Sequence, residues 1–222
     1  MLQESTLKFL KALKKQNNKE WFDVHRKEYE AAKQDFAAFT NHLIQLHAKN
    51  DASIAALTHK DCVFRINRDV RFSKNKEPYK TNMGTHIVQG GKKSMLAGYY
   101  FHCEPGGKSF MGGGMYMPDA EKMKKIRQEI DYNLEEFKAI LNNKLFKKVY
   151  GKLTIEDGMQ LQREPRGYEK DNPAIEYLKL KSWIATVTVN DVDLTDKQLY
   201  KKVEEAFIAL KPLLDFLNRA ML

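Results

Sequence analysis

The sequence predicts an α+β fold in which a mostly antiparallel sheet, a central meander, packs against long N- and C-terminal helices. Three patterns predict it. Apolar residues recur every three or four positions from Phe22 to Leu46 and again from Leu199 to Leu217, the period of an amphipathic helix. Between Lys60 and Met117 the chain instead carries short β-type runs broken by turn compositions. Strands gathered in one region, without regular strand–helix–strand alternation, argue against a doubly wound parallel sheet.

Taken in order, Ser5 or Thr6 can cap a first helix with Leu7, Leu10 and Leu13 on one side, ending at Gln16, Asn17 and Asn18. A longer helix follows, its seam made of Phe22, His25, Tyr29, Ala32, Phe36, Phe39, Leu43 and Leu46. Strands are expected at 62–66, 85–88, 98–103 and 110–117, separated by Lys-Asn-Lys-Glu-Pro, Gln-Gly-Gly-Lys-Lys and Glu-Pro-Gly-Gly-Lys. Asp119 caps a helix bearing Met123, Ile126 and Ile130, and a helical pair spans 134–150 before Gly151. Residues 154–171 read as a loop with one strand, Pro173 opens a short helix, and 183–189 alternates as a strand. Thr195 and Gln198 have capping-box spacing for the last helix, which Pro212 should kink. With no repeat, linker or low-complexity tract, residues 1–222 are expected to form a single domain.

The chain has 222 residues, 42% of them hydrophobic, enough to bury a sizeable core. No run approaches 18 consecutive apolar residues, which excludes a spanning helix, and the N-terminus lacks the apolar core of a secretion signal, so a cytoplasmic location is expected. Cys62 and Cys103 form neither a disulfide framework nor a zinc motif; they read as small buried hydrophobes on separate strands. The protein is basic, with a formal charge of +9. Residues 60–93 hold nine cations against three anions, a net of +6, so two thirds of the excess lies in this one segment. A focused positive potential that attracts an anion follows.

Within that segment Arg65, Arg68 and Arg71 fall in seven residues among the buried-type Phe64, Ile66, Val70 and Phe72. Guanidinium groups are planar forks suited to phosphate or carboxylate. Asp69, Lys74, Lys76, Tyr79 and Lys80 complete the candidate ligand-binding set on this stretch. The competing use of the same cations is internal pairing with Asp69 and Glu77. Tyr100 can orient a ligand. Gly113 and Gly114, in the run Gly112 to Gly114, suggest a bulge or a close approach to the backbone, by a ligand or by the long helix. His25, His102 and Glu104 are the candidate catalytic residues. His102 and Glu104 share a strand face with Tyr100, whereas His25 lies on the apolar seam, where a core histidine is the usual finding. His86, His102 and Glu104 have no recognised metal spacing, so no metal site is predicted, and the sequence leaves any cofactor unknown.

These residues also carry a resemblance. Asn17, Asn18, Trp21, Phe22, His25, Arg26 and Tyr29; Phe64, Arg65, Arg68, Asp69, Arg71, Phe72 and Ser73 with Lys76, Pro78, Tyr79 and Lys80; Gly98, Tyr99 and Tyr100 with Pro105 and Gly106; Gly113 and Gly114 with Pro118; and Pro165, Arg166, Gly167 and Tyr168 together resemble a bacterial and fungal family known as domain of unknown function 2461. The resemblance implies a single domain and no assigned activity. From the residues, the expected function is a pocket for a phosphorylated or other anionic small molecule, with a histidine to carry a proton should the pocket be catalytic. A nucleic-acid-associated protein using the same basic patch is the alternative, and a structural or partner-binding domain a third. No membrane partner is expected, and the sequence leaves the oligomeric state open.

Overall fold

The computed structural model describes residues 1–221. The helices in chain order are α1 (Glu4–Lys15), α2 (Lys19–Val24), α3 (Arg26–His47), α4 (His59–Cys62), α5 (Ala120–Tyr132), α6 (Leu134–Asn142), α7 (Lys144–Tyr150), α8 (Ile175–Leu178), α9 (Asp191–Leu194) and α10 (Leu199–Arg219). Strands β1 (Met83–Ile87), β2 (Gly98–Cys103), β3 (Ser109–Met115) and β4 (Trp183–Val189) form one four-stranded antiparallel meander in the order β1-β2-β3-β4. The fold is α+β. β2 and β4 coincide with the expected runs; β2 buries Tyr99, Phe101 and Cys103 in alternation, whereas β4 opens with Trp183, Ile184 and Ala185 buried in succession.

By internal contacts the chain divides into two compact units, each assembled from three segments distant in sequence. The first comprises residues 1–93, 100–111 and 188–204. In it α3 packs on α1, α2, α4 and β1. Phe36, Phe39 and Leu43 of α3 are buried, and the Phe39 ring lies 4.8 Å from that of Phe101 on β2. The second unit holds the remainder of the described chain. Its core is built from Tyr99, Ile126, Ile130, Phe137, Phe146, Trp183, Phe207 and Phe216, with Tyr99 4.8 Å from Phe207 and Phe137 5.2 Å from Phe216.

Several expectations are corrected. The long N-terminal helix is interrupted at His25, where φ is −97° and ψ 24°. There His25 Nδ1 lies 2.8 Å from the Trp21 carbonyl oxygen, which also accepts from the His25 backbone N–H at 3.1 Å. The N-terminus of α1 is not capped by Ser5 or Thr6. Asp35 of α3 does that work from a distance, accepting from Gln3 N at 2.9 Å and from Thr6 Oγ1 at 2.6 Å. Residues 62–66 are not a strand: Cys62 ends the helical turn α4, whose capping box is Thr58 with Asp61. Before α10, Asp196 and not Thr195 accepts from Gln198 N, at 2.6 Å. Pro212 lies inside α10, which continues through it to Arg219.

Candidate functional site

The basic segment folds as an irregular hairpin. Phe64 N donates to Gly84 O at 3.1 Å, Lys80 N to Ile66 O at 2.8 Å and Arg68 N to Pro78 O at 2.9 Å, with antiparallel bridges at Val63–Thr85 and Asn67–Tyr79. Ile66 anchors it, only 4% exposed. Tyr79 is equally structural: its ring stacks on Phe22 at 3.9 Å, and Asn17 accepts from its N–H and donates to its carbonyl, at 3.1 and 2.9 Å. Burial raises the pKa of its phenol.

The tip of the hairpin consumes much of the charge that the sequence concentrates there. Arg71 forms a two-pronged pair with Asp69, at 3.0 and 2.7 Å. That pairing holds the Asp69 carboxyl below its usual range. Arg68 donates to Glu77 O at 3.0 Å and Ser73 Oγ at 3.3 Å, and Lys76 donates to Val70 O at 3.1 Å. These groups close the loop. Phe72, a buried-type residue by sequence, is 95% exposed at its end, with the Arg71 guanidinium 5.8 Å from the ring centroid.

Arg65 and Lys80 are different. Among the described residues neither side chain has a hydrogen-bond partner or a carboxylate at ion-pair distance, and the Lys80 ammonium sits 5.5 Å from the Phe64 ring centroid. Burial, and then repulsion from Arg65, lower the pKa of Lys80. The two cations sense each other, and Arg65, after Arg71, also helps to lower the pKa of Asp69. Lys74 is exposed.

Beside Phe64 runs the polar face of β2. Phe101 and Cys103 point into the core, so Tyr100 and His102 emerge on the opposite side, followed by Glu104. Tyr100 Oη lies 3.4 Å from His102 Nδ1, and His102 Nε2 lies 3.3 Å from Glu104 Oε2. Glu104 Oε1 in turn meets Lys14 at 3.4 Å and Lys108 at 3.9 Å. Burial lowers the His102 pKa and Glu104 partly restores it. A neutral imidazole in this line donates from Nε2 to the carboxylate and accepts at Nδ1 from the phenol. Both ring nitrogens are thereby engaged, and the outer end of the line is the Tyr100 hydroxyl. Burial raises the Tyr100 pKa, so the phenol stays protonated and able to donate.

Rings continue the surface. Phe64 is 6.4 Å from Tyr100, Tyr100 is 5.6 Å from Phe110, and Phe110 stacks on His102 at 4.7 Å. Gly84 makes room for the hydroxyl: a Cβ there would stand 2.6 Å from Tyr100 Oη.

A family model described as conserved hypothetical protein (DUF2461) matches residues 5–216. The chain belongs to this family. Neither the comparison with curated proteins nor that with solved structures finds a match.

Further candidates in this DUF2461 protein are His25, His86 and the glycine pair on β3. His25 makes its hydrogen bond and its 3.9 Å ring stack with the same residue, Trp21. His86 is largely buried, which lowers its pKa. Among the described residues no group of three or more His, Cys, Asp or Glu is arranged to hold a metal ion, and no helix is long and apolar enough to cross a membrane. Gly113 and Gly114 need no ligand to explain them. With φ of 152° and 127°, their missing Cβ atoms would lie 2.1 Å from the carbonyl oxygens of Gly98 and Trp183. Close approach is indeed the reason for the glycines, and the neighbouring strands supply it. Cys62 and Cys103 are fully buried, with thiols pushed up to about 11 and about 12. Sequence reasoning missed Phe110, Gly84 and Lys14. Phe110 had a usable signal in the alternation of β3, where Ser109 and Met111 are the buried neighbours; Lys14 had none.

Proposed function

We propose that the DUF2461 chain binds a phosphorylated or otherwise anionic small molecule at the rim between the hairpin and the polar face of β2. Arg65 and Lys80 hold the anion, the single O–H of Tyr100 turns from His102 Nδ1 to the anion when it binds, and His102 and Glu104 stand behind the phenol as the line that can take up its proton. One observation carries the reading: Arg65 and Lys80 are adjacent cations with no carboxylate at ion-pair distance, and the acid that senses Arg65, Asp69, is already paired with Arg71. An anion placed there relieves the repulsion between the two cations. Proton transfer is an extension of the binding reading, because His102 Nδ1 lies 3.4 Å from the Tyr100 hydroxyl.

The test is thermal stabilisation by phosphorylated metabolites at fixed ionic strength. A ligand present at 100 times its dissociation constant adds about 2.7 kcal/mol of stability. Wild-type protein should show such a shift, Arg65→Ala and Lys80→Ala should lose it, and Arg71→Ala, whose guanidinium is held by Asp69, should keep it. Absence of a shift with every compound in wild-type protein refutes the proposal.

A second reading has one observation in its favour. Phe72 stands almost fully exposed beside Arg71 at the end of a basic loop, an arrangement suited to stacking on single-stranded nucleic acid. Salt-dependent oligonucleotide binding that Phe72→Ala weakens would support it; affinity indifferent to salt would refute it.

A further inference from the structure

We infer that the anion taken by this site carries a planar unsaturated ring next to its charge, the chemistry shared by mononucleotides and aryl phosphates. This rests on the anion-binding reading above and adds a ring-binding subsite to it. The cations alone would suit any small phosphate. The surface around them is not that of a bare phosphate site, which needs donors and little else.

Phe64, Tyr100, Phe110 and His102 form a continuous series of ring contacts, with centroid separations of 6.4, 5.6 and 4.7 Å. They do so on the side of β2 opposite the buried Phe101 and Cys103, and none of the four is fully buried. Phe64 is 37% exposed. Aromatic side chains left part-open to water forgo burial they would otherwise gain, and a ligand ring covering them recovers it. The Lys80 ammonium is 5.5 Å from the Phe64 centroid, so a ring packed on this surface brings an attached anionic group within reach of Lys80 and Arg65. Asp69, the carboxylate that senses Arg65, is held by Arg71, and Glu104 lies at the far end of the Tyr100–His102 line. A mononucleotide and a phenyl phosphate satisfy both halves; inorganic phosphate and a sugar phosphate satisfy one.

The full chain is titrated calorimetrically, at one pH and ionic strength, with inorganic phosphate, ribose 5-phosphate, phenyl phosphate and adenosine monophosphate. The ring-bearing pair should bind about 10-fold or more tighter than the ring-free pair, the gain that base–aromatic stacking supplies. Phe64→Ala, at a part-exposed position, should remove that preference and leave the affinity for inorganic phosphate near the wild-type value; Phe110→Leu gives an independent check on the same surface. Arg65→Ala should weaken all four. Tight binding of phenyl phosphate but weak binding of the nucleotide still supports the ring subsite and limits it to small rings. Equal affinity for ring-bearing and ring-free phosphates overturns this inference while leaving the anion site standing. Failure of all four to bind overturns both.

Discussion

Gly84→Ala tests the central geometry of the site without touching any charged group. The new Cβ would stand 2.6 Å from Tyr100 Oη and 3.2 Å from Cζ, against an ordinary contact that begins at 3.4 Å. The hydroxyl must therefore retreat by about 0.8 Å, the difference between the last and first of these distances. Overpacking of this kind costs about 1–3 kcal/mol. The Tyr100–His102 contact, already 3.4 Å long, has little room to stretch. Losing it adds about 1 kcal/mol. In a Tyr100→Phe background the hydroxyl is gone and the closest remaining atom is Cζ, so the same alanine should cost under about 1 kcal/mol. Urea denaturation of the four proteins in this cycle should give a coupling of about 1–3 kcal/mol, with Tyr100→Phe rescuing Gly84→Ala. Additive losses would mean that the hydroxyl does not sit over Gly84, and the whole Tyr100–His102–Glu104 line would fall with it.

Other outcomes follow from particular contacts. Gly113→Ala, with φ of 152° and a carbonyl 2.1 Å from the new Cβ, should lose more than about 3 kcal/mol or fail to fold; a near-neutral urea midpoint would contradict the strand geometry. Arg68→Ala should speed proteolysis or hydrogen exchange at 69–77 while leaving global stability within about 1 kcal/mol, because its bonds close only that loop; unchanged exchange there would show that the loop closes without Arg68. Burial holds the imidazoles of His86 and His102 below their ordinary pKa of about 6.5. Their contribution to stability is intact above that pH and is lost as the pH falls toward the lowered folded values, since the unfolded chain takes up protons first. The urea midpoint should accordingly drop between about pH 7 and pH 5, and His86→Gln should flatten the drop; a midpoint that rises on acidification contradicts the sign. Cys62 and Cys103 should resist a thiol reagent in the native state and react only on unfolding.

Local pattern made much of the architecture legible. The runs of β2 and β4, the cap at Asp119 and the stop at Gly151 are properties of a few consecutive residues, and each stands where the sequence puts it. What sequence misread involved residues far apart. Asp35 caps α1 from 29 positions beyond Thr6, and Thr85 and Gly84 pair back on residues 63 and 64 in place of an independent strand at 62–66.

The candidate site divides along the same line. By itself the sequence determined that this chain makes an α+β fold, that it belongs with DUF2461, and that its excess charge is concentrated in residues 60–93. Which of those charges remain available was decided only by the tertiary structure: Arg71 is spent on Asp69 and Arg68 on its own loop, while Arg65 and Lys80 are left beside Phe64 and the face of β2. The physical reason is range. Periodicity and capping act over a turn or a strand, whereas the freedom of a charge depends on every acid and carbonyl within a few ångströms, and those are brought near by folding.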